Sequence, residues 1–138
     1  MEKSEYVALA AFRAELRRFL HFSETAARAH GMTPQQHQLL LAIKGVQGRE
    51  YATVTEAAEA LQLGHTAVVG LVDRCEKAGW VVRETAAEDR RQTHLRVTPT
   101  AEAILAVLSR EHLRELHALE SALARSITRP AETPDAGG

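Results

Sequence analysis

Gly64-His65-Thr66-Ala67-Val68-Val69-Gly70-Leu71-Val72-Asp73-Arg74-Cys75-Glu76-Lys77-Ala78-Gly79 runs directly into Trp80-Val81-Val82-Arg83-Glu84 and, beyond a charged connection, into His94-Leu95-Arg96-Val97-Thr98. Val68, Leu71, Val72 and Cys75 stand at i, i+3, i+4 and i+7, the apolar stripe of a helix that packs on one side only. The spacing predicts a helix over Gly64–Ala78. Its opposite face carries His65, Thr66, Val69, Gly70, Asp73, Arg74 and Lys77. Gly79 suits the left-handed position that ends a helix. Gly64 can serve as N-cap, less well than Ser, Thr, Asn or Asp. From Trp80 the period changes. Trp80–Glu84 is β-prone and His94–Val97 alternates polar with apolar, so two strands are expected. Glu88-Asp89-Arg90-Arg91-Gln92 joins them as a long hairpin loop that gathers charge where another molecule can reach it.

Upstream, Thr53-Val54-Thr55-Glu56 is a capping box that opens a short helix to about Leu61, with Ala57, Ala58 and Leu61 inward. Leu63-Gly64 is the tight turn into the next helix, giving a helix-turn-helix from Thr53 to Gly79. Tyr51-Ala52 is expected as a short strand edging the hairpin. A helix-turn-helix followed by a hairpin is the layout in which one helix enters the DNA major groove while the hairpin tip reaches backbone or minor groove. Thr33-Pro34-Gln35-Gln36 starts another helix, with Thr33 as cap, Pro34 at the first position and Gln36 closing a capping box. Leu39, Leu40, Ile43 and Val46 form its buried face, and it ends near Gln47.

Two long helices flank this region. Ser4 to about Arg28 has an apolar face of Tyr6, Leu9, Ala10, Leu16, Phe19 and Leu20. Thr98-Pro99 starts a helix to about Ser126, in which Leu105, Leu108, His112, Leu116, Leu119 and Leu123 approach a coiled-coil seam. A small domain does not need a helix this long with two apolar faces, which implies pairing with the first helix and with a second subunit. The expected architecture is mainly α with a small β-hairpin wing: a winged helix-turn-helix with long N- and C-terminal dimerisation helices. Residues 1–32 and 99–128 supply the dimerisation helices and 33–98 the DNA-binding lobe. Residues 129–138 read as a disordered tail.

The totals agree with one globular domain: 138 residues, 45% hydrophobic and 25% charged. No apolar run approaches a membrane span. Met1-Glu2-Lys3-Ser4-Glu5 lacks the apolar core of a signal peptide. A single Cys builds no internal disulfide framework, and the cytoplasm is the expected compartment. The net charge of −1 counts against a nucleic-acid partner only if taken globally. Between Gly64 and Thr98 the bases Arg74, Lys77, Arg83, Arg90, Arg91 and Arg96 face the acids Asp73, Glu76, Glu84, Glu88 and Asp89. That modest surplus predicts salt-sensitive, fairly weak non-specific binding. There is no nucleophile–base arrangement, paired carboxylate, glycine-rich phosphate loop or Cys-x-x-Cys pattern, so no enzyme and no cofactor are expected.

Leu61-Gln62-Leu63-Gly64-His65-Thr66-Ala67-Val68, Leu71-Val72-Asp73-Arg74, Lys77-Ala78-Gly79-Trp80-Val81, Asp89-Arg90-Arg91 and Val97-Thr98-Pro99 together resemble the MarR family of bacterial winged-helix transcriptional regulators. The match holds at motif level from about Thr33 to Thr98, and in pattern only over the flanking helices. The resemblance implies a homodimeric regulator, commonly a repressor, on a pseudo-palindromic double-stranded operator. On this reading His65, Thr66, Val69 and Gly70 face the bases and Arg74 a phosphate, while Arg90 and Arg91 reach a minor groove or clamp the backbone. The family often carries Ser where Gly64 stands and a polar residue or Arg where Gly70 stands. Base-reading is therefore thin, with more weight on the wing and on DNA shape. The family also implies that Asp89 braces an Arg and shapes the wing.

Relatives often bind small aromatic or anionic effectors. The corresponding candidates are Phe12, Phe19, His21, Phe22, His37 and Leu40, each of which read alone is simply core. Some relatives bind zinc through His and acidic residues, and His37 with Glu111-His112 invites the comparison. His112 and His117 are five apart, a poor helical register for one ion, and no metal is expected. Cys75 lies on the inward stripe and reads as a buried inert thiol. Two other classes stay open: a winged-helix dimer that binds protein instead of DNA, and a metal- or redox-responsive regulator.

Overall fold

The computed structural model describes residues 1–89 and 91–128; Arg90 and the expected tail from Arg129 lie outside the described residues. Its elements are α1 (Lys3–Ala29), α2 (Pro34–Lys44), β1 (Ala52–Thr53), α3 (Val54–Leu61), α4 (His65–Lys77), β2 (Val81–Thr85), β3 (Thr93–Val97) and α5 (Pro99–Thr128). The chain forms two compact units, one from residues 1–26 with those from 109 on, the other from Ala27–Leu108. The division falls inside α1 and α5. Among the described residues no helix is long and apolar enough to cross a membrane.

The helices of the second unit begin and end by satisfying backbone groups that a helix leaves open. Thr33 and Thr53 both form the expected capping boxes. Thr33 Oγ1 accepts from Gln36 N at 3.1 Å, and Gln36 Oε1 accepts from Thr33 N at 2.9 Å. Thr53 and Glu56 repeat the same pair of distances at the start of α3. Gly31 and Gly79 end α1 and α4 at φ +82°, where a Cβ would be strained. The turn between α3 and α4 differs from the expectation. The left-handed residue there is Gln62, at φ 54°, and not a glycine. Leu63 N donates to Ala58 O at 3.0 Å and Gln62 N to Glu59 O at 3.3 Å, the paired bonds of a helix end that requires such a residue. Gly64 has extended backbone and caps α4 without a side-chain bond.

The three strands order as β1-β3-β2, all antiparallel. Val81 pairs with Val97 and Arg83 with Leu95 in the hairpin, while Ala52 pairs with Leu95 on the other edge. β1 starts one residue later than expected, and Trp80 precedes β2 instead of opening it. Trp80 serves the helix end, because its N donates to Cys75 O at 2.8 Å and its O accepts from Thr98 N at 2.9 Å. Thr98 then joins three elements. Its hydroxyl donates to Gly79 O at 2.7 Å and accepts from Ala101 N at 3.3 Å in the first turn of α5. Nearby, Lys44 Nζ donates to Glu50 at 2.5 Å and Glu102 at 3.1 Å, fastening the end of α2 to α5. Those two hydrogen bonds, Glu50's first, hold the ammonium above its ordinary pKa.

Leu39, Leu40, Ile43, Val68, Leu71, Val72, Cys75, Val81, Leu95 and Leu108 are buried as the core of this unit, whereas Val46 is only half-buried. A helix as short as α4 is marginal alone in water. Burying each Val or Leu of its stripe contributes about 1.5–3 kcal/mol, enough to hold it. In the other unit, Phe19 and Phe22 meet the His112 ring edge-on, with centroids 6.0 and 5.1 Å away, and His112 Nε2 lies 2.8 Å from Ser23 Oγ. Tyr6, Val7, Leu9 and Phe12 of α1 and Leu113 and Leu116 of α5 stay exposed.

Replacing Thr53 by Ala removes the cap of α3 and is expected to lower stability by about 1 kcal/mol, read by urea denaturation.

Candidate nucleic-acid interface

α4 shows its buried stripe to the core and everything else to solvent. His65, Thr66, Asp73, Arg74 and Lys77 are exposed, and Val69 and Gly70 partly so. An open groove of about 500 Å³ runs between this helix, the start of α3 and the wing. His65 and Val69, one helical turn apart, line it from α4, and Arg91 lines it from the wing. These three are the sequence-predicted residues that the structure brings together. Thr66, Gly70 and Arg74 lie on α4 outside the groove lining, and Arg90 is outside the described residues.

Sequence reasoning missed the rest of the lining. Thr53, Val54 and Thr55 enter from the end of β1 and the start of α3, and Arg83, Gln92 and Thr93 from the wing. The capping box at Thr53 was the available signal for the first group, since it puts the start of a helix there. For Arg83 there was no local signal, because a strand residue's partner on another element is not encoded in its neighbours.

The wing tip is shaped by Asp89. Its carboxylate accepts from Arg91 N at 3.0 Å, and its carbonyl accepts from Gln92 N at 3.0 Å. This is the local turn that Asp favours, a side chain bonding the backbone two residues on. Gln92 O in turn accepts from Ala86 N at 3.0 Å, closing the loop. The observed bracing is thus of the Arg91 backbone and not of its guanidinium.

Charge is sorted by ion pairing. Arg83 pairs with Asp73 and Glu76, and Arg96 with Glu84 across the hairpin at 2.5 Å. Arg74, Lys77 and Arg91 have no ion pair among the described residues. Just before β1, the Tyr51 ring is stacked on His94 at 3.6 Å, with the Arg49 guanidinium 4.5 Å from its centroid. Arg49 also pairs with Glu56, the capping residue of α3. This stack ties β1 and the start of α3 to β3.

The other sequence candidates are divided between the two units. Phe12, Phe19, His21 and Phe22 belong to the unit of long helices, where Phe12 and His21 are exposed and Phe19 and Phe22 flank His112. His37 and Leu40 are buried in the winged unit. Among the described residues no three His, Cys, Asp or Glu side chains converge as a metal site would require. Cys75 is fully buried, and desolvation pushes its thiol from 9.0 up to about 11, against a smaller opposing effect of the Arg74 charge.

A thiol that keeps its proton to higher pH when folded favours the folded state fully below pH 9 and loses that contribution as pH rises toward 11. Two outcomes are expected. Native protein at neutral pH should react with a thiol reagent only at its unfolding rate. Cys75→Ser should flatten the alkaline fall in melting temperature.

A profile described as MarR family matches residues 30–92. A curated relative from Thauera aromatica, provisionally described as the transcriptional regulatory protein for the hcr operon, is 27% identical over 103 residues. That alignment takes in 75% of this chain, which spans 60% of the relative's length. A solved MarR family protein from Bacillus stearothermophilus shares the fold with a TM-score of 0.72 at 21% identity, over 86% of this chain and 81% of that one. The S. aureus MepR–DNA complex does so with 0.70 at 17% identity, over 96% and 93%. The profile spans α2 to the wing, so over that stretch the chain is similar to the MarR family, on a fold that it shares with these solved structures.

Proposed function

We propose that the protein is a sequence-specific DNA-binding transcriptional regulator, a homodimer that acts as a ligand-responsive repressor on a pseudo-palindromic operator. The observation that carries this reading is the groove in which the open face of α4 meets the wing at Arg91. A major-groove helix flanked by a basic hairpin tip makes base and phosphate contacts together. MepR, whose fold this chain shares, is described in complex with DNA. In this proposal His65, Thr66, Val69 and Gly70 approach base edges, Arg74 a phosphate, and Arg90 and Arg91 the minor groove or the backbone.

The dimer reading rests on the apolar side chains left in water on α1 and α5. Tyr6, Val7 and Leu9 are more than half exposed, as is Leu113, and a run of such residues marks an interaction surface. Residues 1–32 and 99–128 are proposed as dimerisation helices and 33–98 as the DNA-binding lobe. Two lobes related by a two-fold read half-sites about one helical turn apart. A small aromatic or anionic effector is proposed to relieve repression by changing that spacing. The second reading, a module that binds protein, draws on the net charge of −1.

Fluorescence anisotropy against DNA upstream of the protein's own gene, at several salt concentrations and with unrelated competitor, separates the two. Arg91→Ala should weaken binding and reduce the salt slope by about one per site. Binding that is equal on all DNA, with no change in Arg91→Ala, would refute the DNA reading. Gly70 gives a second check. A Cβ there meets only Arg74 Nη1, at the ordinary distance of 3.5 Å, so Gly70→Ala should stabilise α4 by up to about 1 kcal/mol. If bases pass over Gly70, the same variant should melt higher and bind the operator less tightly.

A further inference from the structure

Arg83 is the groove residue whose charge is already engaged. It stands on β2, paired with Leu95 of β3, and its side chain crosses to α4. There Nη2 donates to Asp73 Oδ1 at 2.6 Å and Nη1 to Glu76 Oε1 at 2.7 Å. The two acids are three residues apart and so are neighbours on one helix face. One planar guanidinium thus holds two carboxylates in a fixed fork, a geometry Lys does not reproduce. Both acids lie on the exposed side of the same helix that carries His65 and Val69. Left unpaired, they would place two negative charges within a Debye length of DNA phosphates in the groove.

We propose that Arg83 is a positioning residue for DNA binding: it fixes the wing against α4 and halves the net negative charge of Asp73 and Glu76, and it makes no phosphate contact itself. The proposal rests on the DNA-binding reading. Partly exposed ion pairs of this kind add little to stability, so the effect belongs to binding and not to folding. The arrangement also allows a chain of net charge −1 to present Arg74, Lys77 and Arg91 beside DNA with one net negative charge near them instead of two.

The test is a double-mutant cycle in the full chain, read by anisotropy on operator DNA, with circular-dichroism melting of every variant. Arg83→Gln is made in the parent and in a background already carrying Asp73→Asn and Glu76→Gln. The expected result is a loss of about five- to tenfold in the parent and less than about twofold in the neutralised background, at unchanged melting temperature. Arg83→Lys should lose less than Arg83→Gln but not regain parent affinity, because the ammonium keeps the charge beside the acids without the planar fork that fixes the wing; full parent affinity in Arg83→Lys would overturn the positioning role. Equal losses in both backgrounds, no loss in the parent, or a loss that follows the unfolded fraction would each overturn the proposal. A parent chain that shows no salt-dependent DNA binding overturns the DNA reading first and the proposal with it. That failure is recognisable because it precedes any substitution.

Discussion

Val68, Leu71, Val72 and Cys75 are withdrawn almost completely from water, and the rest of the lobe depends on that single stripe. It turns a marginal helix into a fixed one and decides which residues remain outside. With four positions committed to the core, His65, Thr66, Val69, Gly70, Asp73, Arg74 and Lys77 have no alternative but the solvent side. The interface is therefore the complement of the core, set by the same 3.6-residue period. α2, α3 and the sheet supply the apolar wall that the stripe needs, and the groove forms where that wall stops.

Electrostatics is layered over this packing. Acids and bases nearly cancel in the lobe, yet the pairs formed are selective. Arg83 and Arg96 take up Asp73, Glu76 and Glu84, and Asp89 turns its carboxylate to backbone. Tyr51 adds an apolar platform between His94 and Arg49, and Arg49 is anchored in turn by Glu56. The start of α3 is thereby held from two sides, by its capping box and by this stack. Such pairs contribute little each at a solvated surface. Their importance lies in orientation, since they set which charges face outward.

Most of the architecture was legible because it is written in local periods and caps. The boxes at Thr33 and Thr53, the stripe of α4, Gly79 and the Thr98-Pro99 start all involve residues within a few positions of one another. What was not legible depends on partners far apart in sequence. The Tyr51–His94 stack, the reach of Arg83 to Asp73 and Glu76, and the contribution of Thr55 and Thr93 to the groove arise only after the sheet has closed. The turn at Gln62 was hidden for a different reason. Glycine is the usual left-handed residue, so Gly64 drew the assignment, while the helix-ending bonds fall two residues earlier. Trp80 looked like a strand residue from its β propensity, but its backbone is taken by the end of α4 and by Thr98.

The junction at Thr98 also bears on how chains of this design can vary in length. A single residue separates the end of β3 at Val97 from the start of α5 at Pro99, and that residue is bonded to both Gly79 and Ala101. One inserted residue there would turn α5 by about 100° relative to the sheet. Ala101, Leu105 and Leu108, all buried, would swing out of the core together. The connection between β2 and β3 carries no such burden. It is closed on itself by Asp89, Ala86 and Gln92, and its length can drift without moving any helix. Insertions and deletions in descendants of this sequence should thus collect at the wing tip, with the strand-to-helix junction constant in length to the residue.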